Sequence, residues 1–331
     1  MVAVEAGVST ATVSYVLSGR AGSAKGVSDE ARAKVLAAAR RLDYVPNRAA
    51  QSIRTGRTRL VQLSLNMLSD PWSLAVAAAV NTAANQHGLI TTILADHDWF
   101  AAVERFASDV AYIDKVTDQP DARTRLATLV SRGQRLVVFS ETLEADGFDV
   151  VRSDAIPGCY LAMDHLLEHH ERIGCLTTRA ALEAAGASRY TPYAERLAAA
   201  GLPVRPDDVA VFENSQPSAF AAAVRLLARS DRPSAVYATT DFAAIAAINA
   251  AHMLGLRIPH DVAIVGVGNT PDAHLVAPTL TTVGPTDFYE RQAEIIVRAA
   301  LADPDDPAAE PAVHDFPWSL HRGASTELER P

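Results

Sequence analysis

The chain has 331 residues, 49% of them hydrophobic, and a formal net charge of −9. That length buries a large core and accommodates two or three domains of ordinary size. No run of eighteen apolar residues occurs, and no basic segment followed by an apolar stretch opens the chain, so neither membrane insertion nor secretion is supported and a cytoplasmic location is expected.

Cys159 and Cys175 are the two cysteines, without C-x-x-C spacing, which argues against a disulfide framework or a thiolate zinc site. The charge is unevenly placed. Residues 1–59 hold ten Lys/Arg and four Asp/Glu, a balance of +6, which leaves −15 on the remaining 272 residues. A basic head on an acidic body concentrates attraction for polyanions in the head and points to nucleic acid.

The first sixty residues carry helical signals and no strand. "VAVEAG" is a helical stub ending at Gly7. A tight turn leads into "STATVSYVLSG", where Ser9 caps a second helix with Val13, Val16 and Leu17 inward and Thr10, Ala11, Ser14 and Tyr15 outward. Two helices joined by a Gly-containing turn form a helix-turn-helix. Ser28 caps a third helix with Asp29 and Glu30 in its first turn and Arg40 and Arg41 in its last, as the helix dipole favours. "YVPNRAAQSIRTGRTR" then offers Pro46 as a breaker, Asn47 as a cap and Gly56 as a stop. A helix of about eight residues is marginal alone in water, so it orders only against a partner.

From Leu60 onward strands such as "RLVQLSLNM", "LITTILAD", "VAYIDKV" and "RLVVFSE" alternate with helices. The alternation resumes after residue 156 with "GCYLAMDHLLEHH", "RIGCLTT", "RYTPYAERLAAAG" and their successors up to "VAIVGVG". Such alternation predicts parallel sheets covered on both faces. The run is too long for one sheet and divides near residues 150–156 into two doubly wound units. Ligands in these folds bind beyond the carboxyl ends of the strands, which puts a binding site in a cleft between the units.

"AGVSTATVSYVLSG", "VSDEARAKVLAAARRLDYVPNRAAQSIRTGRT", "RYTPYAERLAAAGLPV", "GLRIPHDVAIVGVGNTP" and "PTLTTV" together resemble, in the same order, the LacI/GalR family of bacterial transcription regulators. The resemblance implies an all-α helix-turn-helix head plus an α/β body of two doubly wound parallel-sheet subdomains of periplasmic-binding-protein type. It implies a homodimeric, non-enzymatic regulator, most simply a repressor. Operator DNA, a palindromic duplex, is the expected partner, with a small-molecule effector, a sugar or related metabolite; no cofactor, metal or membrane is expected. The expected division is 1–45 for the head, 46–59 for a hinge helix and linker, 60–155 with 284–312 for the first subdomain, and 156–283 with 313–331 for the second. Family members carry residues ahead of the first helix, whereas Met1 here falls within it, so the N-terminus is expected to be truncated.

By the same resemblance Thr10, Ala11 and Tyr15 stand where base-reading residues stand, with Thr12, Ser14 and Ser28 as phosphate contacts. Tyr15 replaces a common Arg, removing the usual bidentate contact to guanine. Asn47 caps the hinge helix and reaches the DNA backbone. Ile53 takes the place of the apolar wedge that unstacks a base step in the minor groove. In the body the resemblance points to Trp72, Ser140, Asp154, Arg189, Asp241 and Asn269 as effector contacts. Ser140 and Asn269 depart from the Asp residues frequent there, so the effector need not be the usual sugar. Trp99, Phe100 and Trp318 are expected in the core.

Two other motifs carry less. Gly266-x-Gly268 follows a strand, but Pro271 and the lack of a following helix fail the dinucleotide pattern. "HLLEH" matches an inverted zinc-peptidase spacing without a distant third ligand. The competing function is a solute-binding protein of a transport system, which leaves the basic head unexplained.

Overall fold

The computed structural model describes residues 1–17, 27–44, 52, 55–65, 71–94, 98–114, 116, 121–213, 215–303 and 310–327. The chain forms two units, Met1–Thr58 and Arg59–Pro331. Among the described residues no helix is long and apolar enough to cross a membrane.

The first unit is helical. Helices α1 (Val2–Ala6), α2 (Thr10–Leu17) and α3 (Asp29–Arg41) close on a core of Val2, Ala6, Val16, Val35, Ala38 and Ala39, with Val13, Leu17 and Leu42 packed around it. Gly7, left-handed at φ 63°, ends α1. Ser9 Oγ accepts from Thr12 N at 3.1 Å and Ser28 Oγ from Ala31 N at 3.2 Å, so both serines satisfy amides that the first helical turn leaves without partners. Asn47, Ile53 and most of the expected hinge segment lie outside the described residues.

The second unit holds two six-stranded sheets. The first lobe contains β1 (Leu60–Ser64), α4 (Pro71–Gln86), β2 (Ile90–Leu94), α5 (Trp99–Arg105), β3 (Val110–Ile113), α6 (Ala122–Ser131), β4 (Leu136–Phe139) and β5 (Asp149–Arg152). The second contains α7 (Ala155–Leu167), β6 (Ile173–Thr178), α8 (Arg179–Leu182), α9 (Thr191–Ala199), β7 (Val209–Phe212), α10 (Gln216–Leu227), β8 (Ala235–Ala238), α11 (Asp241–Met253), β9 (Ala263–Val267) and β10 (Thr281–Pro285). The chain then runs through α12 (Phe288–Leu301), β11 (Val313–Asp315) and β12 (Trp318–His321).

The sheet orders are β11-β5-β4-β3-β1-β2 and β12-β10-β9-β8-β6-β7, so both lobes repeat one doubly wound order with a late strand added at the edge. Neighbouring strands are parallel except β12, which runs antiparallel to β10. Near-continuous burial along β1, β3, β8 and β9 follows from helices covering both faces.

Three crossovers join the lobes: β5 to α7, β10 to α12, and β11 to β12. The last two correct the expected limits. Residue 284 still pairs in the second sheet, where Gly284 faces Ser319, and the return begins after Pro285. Val313–Asp315 pairs with β5 in the first sheet, and Phe316 is buried in the first lobe's core, so the final crossing lies at Phe316–Trp318 and not at 312/313. Hydrogen bonding to an open sheet edge, which the sequence pattern does not register, decides both. Asp149–Arg152 also lies outside the expected alternation, too short to stand out by periodicity.

Trp318 is seated at the last crossover against α7. A Cβ on Gly158 would lie 2.5 Å from Trp318 Cε3 and 2.9 Å from its Cβ, so this helix position must be glycine for the indole to reach its seat. Gly158→Ala is expected to lower stability by about 1–3 kcal/mol, the usual range for overpacking. Urea unfolding followed by Trp fluorescence measures it, and an unchanged midpoint would show that the crossover adjusts freely.

Candidate functional site

The head presents α2. Thr10 and Ala11 are exposed and Tyr15 is 50% exposed, while Thr12 and Ser14 are half-buried beside them. Thr12 Oγ1 lies 2.9 Å from Ser9 Oγ, so its hydroxyl belongs to the cap that starts the helix. Ser28 is exposed, and its Oγ is held by the cap of α3. These residues form a small, uncharged surface, and the positive charge lies elsewhere. Within residues 1–17 and 27–44 four bases (Arg32, Lys34, Arg40, Arg41) balance four acids (Glu5, Asp29, Glu30, Asp43). Two of these bases are paired, Lys34 to Glu30 at 2.8 Å and Arg41 to Glu5 at 2.7 Å. The surplus resides in Arg20, Lys25, Arg48, Arg54, Arg57 and Arg59, in the segments flanking the three helices.

In the second unit a cavity of about 170 Å³ opens between the lobes, beyond the carboxyl ends of β4, β8, β9 and β10. Pro71, Trp72, Phe139 and Glu141 line it from the first lobe; Arg189, Thr240, Asp241, Phe242, Gly268 and Thr270 line it from the second. Ser153, Pro285 and Trp318 complete the wall, one from each crossover.

Trp72 has two roles. It borders the cavity and also packs on Phe139 and Phe288, with ring centroids 5.2 and 6.0 Å away. Behind it Phe288 meets Phe316 at 5.0 Å. Trp318, expected in the core, packs against the second lobe's core and also forms part of the wall. Its Nε1 donates to Ser153 Oγ at 2.7 Å, and the Arg189 guanidinium lies 5.7 Å from its ring centroid. Trp99 is buried in the first lobe, and Phe100 packs against the same cluster.

Arg189 is half-buried and donates through Nη1 to Thr239 O at 3.1 Å, while its own carbonyl accepts from Tyr237 OH at 2.7 Å. Both ends of the residue are therefore fixed, and the rest of its planar donor set is available to a ligand. Asp241, 1% exposed, accepts from Thr270 N at 2.7 Å, from Thr270 Oγ1 at 3.0 Å and from Thr282 Oγ1. Burial raises its carboxyl above the ordinary range, and these hydrogen bonds oppose the shift. A Cβ on Gly266 would lie 2.4 Å from Asp241 Oδ1, so the glycine of "VGVG" makes room for a carboxylate and not for a pyrophosphate.

Three expected contacts are not part of the wall. Ser140 is buried, its Oγ accepting from Thr142 N and Leu143 N at 3.2 and 3.1 Å. Asp154 caps α7, with Oδ1 accepting from Ile156 N at 3.0 Å. Asn269, left-handed at φ 49°, donates through Nδ2 to Pro285 O at 3.0 Å and meets His274 Nε2 through Oδ1 at 3.1 Å. Each side chain is consumed by local structure. Glu141, Ser153 and Phe139 were not singled out in the sequence, and Trp318 was singled out only as a core residue, although position after a strand end could have signalled Glu141.

Glu141 is exposed as a residue, yet its carboxyl is raised above the ordinary range, first by desolvation and then by Asp154; Arg189 and a hydrogen bond from Ala155 N oppose the rise. A carboxyl raised in the folded state is ionised more readily in the unfolded one, so its charge costs stability as pH rises above the ordinary carboxylate range. Glu141→Gln is therefore expected to raise the melting temperature at pH 7 and to raise it less at pH 5. Scanning calorimetry at both values checks this, and a larger gain at pH 5 would contradict the assigned sign.

Comparison with known proteins places this geometry. Residues 2–47 match the family model described as bacterial regulatory proteins, lacI family, and residues 163–326 match the periplasmic binding protein-like domain. The HTH-type transcriptional repressor PurR of Yersinia pestis bv. Antiqua (strain Antiqua) is 28% identical over 289 residues, 85% of this chain and 83% of that protein. Among solved structures, the transcriptional regulator CelR in complex with cellobiose is 25% identical, covers 98% of each chain and has a TM-score of 0.61. The lac repressor dimer bound to operator and the anti-inducer ONPF shares the fold, with a TM-score of 0.73 over 99% of this chain and 98% of its own at 23% identity. The chain belongs to the LacI family of bacterial transcription regulators.

Proposed function

We propose that the protein is a repressor whose α2 face enters the major groove of a palindromic operator and whose interlobe cavity binds the effector that sets operator affinity. The observation that carries this reading is the pairing, in one chain, of a capped helix-turn-helix with a small outward face and a ligand-sized cavity walled by all three crossovers. Thr10 and Ala11 are short enough to let the helix sit deep, and Tyr15 reaches further along the groove. Thr12, Ser14 and Ser28 lie at the margin, toward phosphates, and the basic flanking segments supply the salt-dependent attraction. Asn47 and Ile53 keep their assigned parts in a hinge helix at the minor groove. The working division of the chain is a head to residue 45, a hinge to 58 and an effector-binding body beyond.

The effector is a small polyhydroxylated metabolite. The cellobiose-bound regulator, alike over nearly the whole chain, supports that class, and so do aromatic walls beside a fixed guanidinium. A ligand touching Ser153, Pro285 and Trp318 bears on the connections that set the relation of the lobes, which gives binding a route to the operator. The competing transport function predicts no preference for DNA.

Mobility shifts with the DNA upstream of the protein's own gene test the reading: a specific complex that weakens as salt rises is expected. No preference over random duplex, with and without metabolites, would favour the transport reading. Arg189→Ala is expected to abolish the effector response while leaving operator affinity within about twofold; an unchanged response removes Arg189 from the site.

A further inference from the structure

Among the described residues, three of the cavity wall ionise: Glu141 on the first lobe, Arg189 and Asp241 on the second. Asp241 lies behind the surface with its oxygens occupied by Thr270 and Thr282, so it contributes charge without offering a ready acceptor. Arg189 acts electrostatically on both carboxylates and is the one cation among the described wall residues. Two carboxylates thus stand against one guanidinium, and Asp154, just outside the wall, adds to the negative side near Glu141. Trp72, Phe139, Phe242 and Trp318 supply the apolar remainder, and aromatic faces favour cations over anions.

An entering anion would meet Arg189 together with two carboxylates. A neutral polyol can donate hydroxyls to Glu141 but leaves its charge uncompensated, whereas an ammonium both donates to it and neutralises it. A ligand with an ammonium on the first-lobe side and oxygen acceptors on the second answers both groups, each through a charge-assisted hydrogen bond.

We propose that Glu141 is the specificity-determining residue of the cleft, and that it selects a small hydroxylated ring bearing a protonated amine, with the ammonium on Glu141 and the ring oxygens on Arg189. This rests on the reading of the cleft as the effector site and narrows the ligand class.

The test uses the full chain and calorimetric titration with three sets of probes: glucosamine and galactosamine, their uncharged parents glucose and galactose, and the acids glucuronate and glucose 6-phosphate. An amine-bearing probe is expected to bind more tightly than its parent and than either acid. Glu141→Gln is expected to weaken that binding about tenfold or more, as loss of a charge-assisted contact does, and to change the parent's binding less than about twofold. Glu141→Lys should reverse the order in favour of an acid. The residue is exposed and outside the core, and a melting curve of each variant confirms folding.

A parent or acid binding as tightly as the amine, an unchanged affinity in Glu141→Gln, or no binding by either amino sugar would overturn the proposal. Mobility shifts with the same probes separate it from the regulatory reading. An acid that binds and alters DNA affinity sinks the role of Glu141 alone; an amine that binds as expected without altering DNA affinity supports that role and counts against effector control.

Discussion

The hydrogen bond from Trp318 Nε1 to Ser153 Oγ joins the first crossover to the third, and the cavity depends on it. Each crossover is a few residues of connecting chain that could not hold a side chain in place alone. Gly158 lets the indole descend onto α7, the Arg189 guanidinium lies over its ring, and Ser153 fixes its edge. At the second crossover Asn269 holds Pro285 O, and Thr286 Oγ1 lies 3.5 Å from Ser319 Oγ of β12. The connections between the lobes therefore support one another through side chains that also form or brace the ligand wall. That arrangement makes occupancy and lobe geometry parts of one equilibrium, as a ligand-controlled switch requires.

The head shows a different division of labour. Residues 1–17 and 27–44 carry four bases against four acids, while the cationic excess sits in the segments before and after α3. On the proposed reading, discrimination between sequences falls to Thr10, Ala11 and Tyr15, and attraction to the polyanion falls to the flanking bases. The acidic body opposes nonspecific adsorption elsewhere on the molecule. The uncharged face of α2 is thus explained by separating reading from attraction.

Asp241 shows the difference between a buried polar group and a ligand contact. It lines the cavity, yet Thr270 and Thr282 already saturate most of its acceptor capacity, and its chief work is to tie the start of α11 to the loop after β9 and to the start of β10. Ser140, Asp154 and Asn269 are stronger cases, because local turn and cap chemistry uses short polar side chains wherever a strand ends. Glu141 is the reverse: a longer side chain beside such a turn, able to reach past it.

Much was legible from the chain alone. Apolar periodicity gave the alternating elements, Ser9 and Ser28 announced their helices, and the resemblance carried by the head motifs gave the family, because these signals depend on residues close together in sequence. Trp72, Arg189 and Asp241 were named through the resemblance, and all three line the cavity. The limits of the crossovers, the edge strands β11 and β12, and the place of Trp318 in the cavity wall were decided only by tertiary structure. Each depends on a partner far away in sequence: Val150 for Val313, Gly284 for Ser319, Ser153 and Gly158 for Trp318. Local propensity cannot register a hydrogen bond or a close approach between residues 35 to 165 positions apart, so the ligand wall emerges only when the two lobes stand face to face.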